Sequence, residues 1–177
     1  PGTVIVPRDH SEAQKGYLIT GIAGRKDFTV IQIEKPMMNS KIGFGRRILQ
    51  VLEDHDVSFE HMPSGIDTLS VVIDASQIGD KLNVILQEID HAVQPESISV
   101  TDKMALLTIV GRGMAHFPGL AARALAALGE QNINVRMIDS GNSQVNLIVG
   151  VDVDRFEDAV RAIYTAFVRD GEPMREL

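Results

Sequence analysis

The chain of 177 residues contains no cysteine. That excludes a disulfide framework, a thiolate metal centre and a cysteine nucleophile, and it suits a reducing cytosol. No apolar run is long enough to cross a bilayer. Positive charge is outnumbered: 17 Lys and Arg stand against 24 Asp and Glu, for a formal net charge of −7. This balance argues against broad binding to a nucleic-acid backbone or an anionic membrane, though not against a small anion. Catalytic signatures are missing as well. There is no Walker-type phosphate loop, and Ser40, Ser64 and Ser140 lie in no Gly-x-Ser-x-Gly context. His10, His55, His61, His91 and His116 lack the His-Glu-x-x-His spacing of a metal site and read as surface or packing residues. Gly111-Arg112-Gly113 has His116 where a dinucleotide loop needs its third glycine, so it reads as a turn. Gly43-Phe44-Gly45-Arg46-Arg47 is basic, yet two arginines in an acidic chain do not make a nucleic-acid site. An independent enzyme is therefore the weakest reading. At 44% hydrophobic and 23% charged, the composition is that of an ordinary soluble globular protein of one or two domains.

What the chain does contain is a repeat. Residues 28–73, moved forward by 76 positions, fall on 104–149. Ile33 meets Ile109, Met38 meets Met114, Gly43 meets Gly119, Arg47 meets Arg123, Leu52 meets Leu128, and Ser64-Gly65 meets Ser140-Gly141. Elsewhere apolar meets apolar, as Val57 with Ile133 and Val71 with Leu147. A repeat of this length is a small domain, too long for a solenoid turn.

Residues 1–15 end in a polar stretch and read as a linker. The opening Pro1-Gly2-Thr3-Val4-Ile5 lacks the basic and apolar regions of a secretion signal and suggests a cut from something longer. Tyr17 to Ala23 is a short strand closed by Gly24. The first copy then reads as strand 28–34, helix 43–55, strand 57–62, turn 63–67, strand 69–73, helix 78–89 and strand 96–100. That is β-α-β-β-α-β, the ferredoxin-like order of an α+β fold, with a four-stranded antiparallel sheet and two helices on one face. The second copy repeats it as strand 106–110, helix 119–131, strands 133–138 and 145–151, and helix 156–167. The polar tail 168–177, with Gly171 and Pro173, is a poor fourth strand. Tyr17 to Ala23 can supply it, which would insert the first copy into the second.

Chemistry has one natural place in each copy, the corner where the first strand's loop enters the first helix. There Ile42-Gly43-Phe44-Gly45 and Phe117-Pro118-Gly119-Leu120 bring glycine to a helix start. First-turn amides are unpaired and the helix dipole favours an anion, such as an amino-acid carboxylate. The neighbouring strand and turn offer Ser58, Glu60, Ser64 and Asp67 in copy one, and Asn134, Asp139, Ser140 and Ser143 in copy two. Glu60 or Asp67 can accept an ammonium group. The plainer alternative stays open: glycines that serve the turn alone, and carboxylates that are simply solvated.

At these residues the chain resembles a known family, the monofunctional aspartate kinases, in their regulatory half of two ACT domains. The resemblance is carried by Val57-Ser58-Phe59-Glu60-His61-Met62-Pro63-Ser64-Gly65-Ile66-Asp67 and Ile19-Thr20-Gly21-Ile22-Ala23. It is carried equally by Gly113-Met114, Phe117-Pro118-Gly119 and Asn132-Ile133-Asn134-Val135, and it covers nearly the whole chain. The resemblance implies two ferredoxin-like ACT domains, the first (28–95) inserted into the second (16–27 plus 96–177), after a 1–15 linker from a kinase domain that the chain lacks. ATP and magnesium would belong to that kinase domain, leaving no catalytic residue, no metal and no cofactor here. The parent activity implied is phosphorylation of the aspartate side-chain carboxylate, in the cytoplasm.

By the family pattern, a feedback amino acid binds at ACT–ACT interfaces. Met38, Gly43, Phe44 and Gly45 would hold its carboxylate, with Ser58, Phe59, Glu60, Ser64 and Asp67 lining the ammonium and side-chain end. Gly119, Leu120, Asn134, Val135, Asp139 and Ser140 are the counterparts in copy two, as effector or interface residues. Lysine is favoured over threonine, although Lys41 stands where some lysine-sensitive relatives carry a small polar residue. Homodimerisation through the ACT domains is implied, without nucleic acid or membrane. A dimerisation platform that binds no ligand is the rival reading.

Overall fold

The structure is a computed structural model that describes residues 18–141, 145–169 and 172–173. The expected linker 1–15, Tyr17, Ser143 and Gly171 lie outside the described residues. Long-range contacts divide the chain into two compact units, one of Lys26–Met104 and one formed by the residues up to Arg25 together with Ala105 onward.

In the Lys26–Met104 unit, the inner part of β1 (Gly21–Glu34) pairs antiparallel with β2 (Thr68–Asp74), Phe28 opposite Asp74 and Glu34 opposite Thr68. The first part of β3 (Ser97–Val110) lies on the other side of β1. Helix α1 (Phe44–Asp54) buries Phe44, Ile48, Val51 and Leu52, a spacing that makes one apolar stripe on a 3.6-residue period. It packs against α3 (Leu82–Val93), which presents Ile85, Ile89 and Val93. Ile31, Ile33, Val71 and Ile73 of the sheet complete this core. Each fully buried side chain of this size contributes about 1.5–3 kcal/mol of hydrophobic free energy.

The other unit repeats the plan. Helices α4 (Leu120–Glu130) and α5 (Phe156–Phe167) pack together and bury Leu120, Ala124 and Leu128 with Ala159, Ile163 and Phe167. They join a core with Leu107, Ile109, Leu147, Val149 and Val151. Strand β4 (Val135–Asp139) pairs antiparallel with β5 (Asn146–Asp152).

The two copies agree in backbone detail. Asp56 (φ 54) and Asn132 (φ 52) take the left-handed conformation just past α1 and α4. Val57 N–H then returns to the Leu52 carbonyl (2.9 Å), and Ile133 N–H to the Leu128 carbonyl (3.0 Å). These are matching Schellman ends, built with Asp and Asn in place of glycine. At the opposite end, Met38 N–H bonds the Lys35 carbonyl and Lys41 N–H the Met38 carbonyl, as Met114 bonds Gly111 and Phe117 bonds Met114.

Several expectations are corrected. Gly24 does not close a strand, because β1 runs through it from Gly21 to Glu34. A Cβ at Gly24 would lie 2.6 Å from the Phe156 ring and 3.1 Å from the Leu106 carbonyl oxygen, so a side chain here would have to displace that ring. Strands 96–100 and 106–110 are likewise one strand, β3. The expected strand 57–62 makes only an isolated bridge to β2, His61 with Val72, and a second bridge joins Ser64 of the expected turn to Leu69. The helix expected over 78–89 is broken into α2 (Ala75–Ile78), a 3₁₀ turn at Gly79–Lys81 and α3. The tail forms a two-residue pair, β6 (Val168–Arg169) with β7 (Glu172–Pro173).

The gapless register is corrected too. β5 begins at Asn146 and β2 at Thr68, a separation of 78 rather than 76. Val71 therefore corresponds to Val149, not to Leu147. A shift of two residues preserves the inward and outward alternation of a strand, so the wrong register still matched apolar with apolar.

Candidate functional site

The corner singled out in each copy is built alike. Gly43 (φ 74) and Gly119 (φ 84) sit in the left-handed region as the residues preceding α1 and α4, and no side chain caps either helix. Neither first turn carries an acidic residue. Copy one instead has Arg46 and Arg47 there, cations at the positive end of a helix dipole, an arrangement that an added anion relieves. Phe44, Met38 and Leu120 are core side chains, so each has only its main chain to offer a ligand.

Asp67 joins the entry loop to the hairpin turn. Its Oδ1 accepts from Met37 N–H at 2.7 Å, while its carbonyl accepts from Lys35 N–H at 2.8 Å. Met37 itself is left-handed (φ 56), and this bond holds it so. Ser64 and Gly65 form the turn, with Gly65 N–H on the Thr68 carbonyl. Ile42 and Ile66, 97% and 71% exposed, flank this corner together with exposed Met37. An exposed apolar rim around polar groups is the composition of a surface that takes a partner or ligand.

The segment carrying Ser58, Phe59 and Glu60 runs beside β2. Both the Ser58 N–H (3.0 Å) and its hydroxyl (2.9 Å) donate to Gln77 Oε1. Glu60 N–H donates to the Val72 carbonyl, and Val72 N–H donates to the His61 carbonyl, both at 2.8 Å. Glu60 and His61 thus share one partner residue, which is a β-bulge. Phe59 and Glu60 are exposed.

In copy two a cleft of about 280 Å³ opens at the corresponding corner, lined by Met114, Phe117, Gly119, Leu120, Ser140 and Leu147 among others. By the repeat, these positions match Met38, Lys41, Gly43, Phe44, Ser64 and Leu69. The Ser140 hydroxyl donates to the Asn146 carbonyl at 3.0 Å and braces the longer hairpin. Arg136 stands where copy one has Glu60, again at a bulge, since Val135 faces Val151 while Met137 faces Gly150. Arg136 pairs with Asp152 at 3.6 Å on the surface. Asn134 is exposed, Asp139 half-buried, and Val135 packs against the core of its unit.

Larger clefts lie elsewhere, and one of them was not anticipated. About 550 Å³ in volume, it lies between Ile19–Ile22 and α5, lined mainly by Ile19, Ile22, Phe156, Val160 and Tyr164. None of the sequence-predicted residues reaches it. Among the described residues, no cluster of His, Asp and Glu could hold a metal ion, and no helix is long and apolar enough to cross a membrane.

Comparison with known proteins defines the class. Residues 107–167 match the ACT domain family. Aspartokinase 3 of Bacillus subtilis is 36% identical over 165 residues, covering 93% of this chain and 36% of that protein. The crystal structure of Clostridium acetobutylicum aspartate kinase, described as an allosteric enzyme, is 51% identical with a TM-score of 0.81, covering 85% of this chain and 35% of that one. Aspartokinase III of E. coli, in complex with lysine and aspartate in its T-state, has a TM-score of 0.71 at 21% identity, covering 86% of this chain and 34% of that one, a likeness of fold alone. The chain is therefore an ACT-domain protein with a ferredoxin-like α+β fold. More narrowly, it belongs with the regulatory ACT regions of aspartate kinases, and it spans about a third of the length of these curated relatives.

Proposed function

We propose that this chain is the amino-acid-sensing region of an aspartate kinase and holds the ATP-dependent phosphorylation of L-aspartate under feedback control. The observation that carries this reading is the repeated corner: a left-handed glycine before an uncapped helix start in both copies, beside a turn that holds Ser64 and Asp67 in copy one. That geometry suits the carboxylate of a free amino acid. Glu60, exposed at a bulge, suits an ammonium group. We read lysine ahead of threonine as the effector, supported by this acidic group.

The architecture that goes with this reading is two ACT domains, residues 28–95 inserted between 16–27 and 96–177. They would pair side by side in a cytoplasmic homodimer and bury the effector at the seam. ATP and magnesium would be used only by a kinase domain, with no cofactor in this chain. The effector must bind the inhibited arrangement more tightly, since a ligand shifts an equilibrium only by its differential affinity.

Titration calorimetry and thermal melting with lysine and with threonine test this. Ligand at 100 times its dissociation constant should add about 2.7 kcal/mol of stability. Glu60→Ala should weaken binding while leaving ligand-free melting nearly unchanged. A dimer that gives no heat and no melting shift with either amino acid at millimolar concentration is the platform reading instead.

A further inference from the structure

One difference between the copies lies beside the proposed effector strand and has no counterpart in copy two. After β2, the chain inserts the single helical turn α2 before its 3₁₀ turn and α3. In copy two, β5 ends at Asp152 and the 3₁₀ turn Val153–Arg155 follows at once. Leu82 and Phe156, which start the matching helices, are 74 positions apart against 78 for the preceding strands, so copy one carries four extra residues. These are Ala75–Ile78. Asp74 caps this turn, its Oδ1 accepting from Ser76 N–H (2.9 Å) and the Ser76 hydroxyl (2.7 Å).

The extra turn carries Gln77, whose Oε1 takes both Ser58 donors. Another brace near this point is shared by the two copies. Lys81 Nζ donates to the His55 carbonyl at 2.7 Å, and the matching Arg155 donates to the Gln131 carbonyl at 3.0 Å. Anchoring the end of the first helix is thus common to both. Anchoring Ser58, two residues before the bulge at Glu60, belongs to copy one.

We propose that Gln77 is a positioning residue: by holding Ser58 it steadies the segment that presents Phe59 and Glu60 at a bulge the two copies share, and so makes copy one the sensing copy. This inference rests on the reading of that strand as part of the effector site. Only the amide oxygen of Gln77 is used, as acceptor, which makes the prediction specific. Gln77→Leu removes the acceptor and should weaken binding of lysine or threonine about tenfold, the net worth of about one hydrogen bond. Gln77→Glu keeps an acceptor at the same point and should restore most of the affinity. Ser58→Ala, which loses one of the two donors, should fall between.

Calorimetric titration of the unchanged chain and the three variants with lysine and threonine, alongside ligand-free melting, reads this out. Support is a weakened Gln77→Leu, rescue by Gln77→Glu and melting points that do not follow the affinities. Equal affinity in Gln77→Leu and the unchanged chain overturns the inference while leaving the effector site standing. Loss of affinity in proportion to loss of melting temperature across all three variants also overturns it. No binding by the unchanged chain overturns the effector site, and the inference with it.

Discussion

Replacing Gly24 by alanine tests how β1 is built. A Cβ there would stand 2.6 and 2.7 Å from the Phe156 ring and 3.1 Å from the Leu106 carbonyl oxygen. Phe156 is the first residue of α5 and packs against the core of its unit, so the ring can yield only by giving up part of that packing. Overpacking of this kind costs about 1–3 kcal/mol. With Phe156→Ala the ring is gone, and Gly24→Ala should then be nearly neutral, because alanine restrains an unfolded strand more than glycine does. The two substitutions should therefore couple by about 1 kcal/mol or more in a double-mutant cycle. Urea denaturation of the four proteins, followed by circular dichroism, measures the coupling. In thermal melting, the single Gly24→Ala change should appear as a loss of about 2–4 °C for each kcal/mol. Additive effects, or a gain in stability from Gly24→Ala alone, would refute the close-packing argument and return Gly24 to an ordinary strand-ending glycine.

Two further substitutions probe left-handed backbone of opposite kinds. Gln94, past the end of α3, has φ 46 and ψ 63, and Gln94→Gly should raise stability by about 1 kcal/mol; its carbonyl, which accepts from Lys35 Nζ, is main chain and survives the change. Gly119→Ala should cost about 1 kcal/mol for conformational reasons alone, since φ is 84 and no atom lies within 4 Å of the new Cβ. Stabilisation by Gly119→Ala in chemical denaturation would refute the left-handed corner.

Much of the helical part was legible in the sequence. Apolar stripes such as Phe44, Ile48, Val51 and Leu52 follow from a period of 3.6, and all four are buried. The strands were less legible. A period of two is satisfied equally by registers two residues apart, so the hairpin offset between the copies left no trace in the apolar pattern. At the site, the glycine corners were readable as helix starts. The bond from Met37 to Asp67 and the clamp of Gln77 on Ser58 were not, because they join residues 30 and 19 positions apart whose polar side chains suit solvent equally well.

The sequence by itself therefore determined that two like units exist, where the first helix of each lies and which glycines open them. Those features arise from near-neighbour geometry, which a repeat writes twice. Only the tertiary structure decided that Gly24 is a contact rather than an end, and that the second hairpin is two residues longer. It also decided that one extra turn in copy one reaches back to Ser58. Each of these depends on which distant atoms meet, and packing distances between distant residues are not encoded in local periodicity.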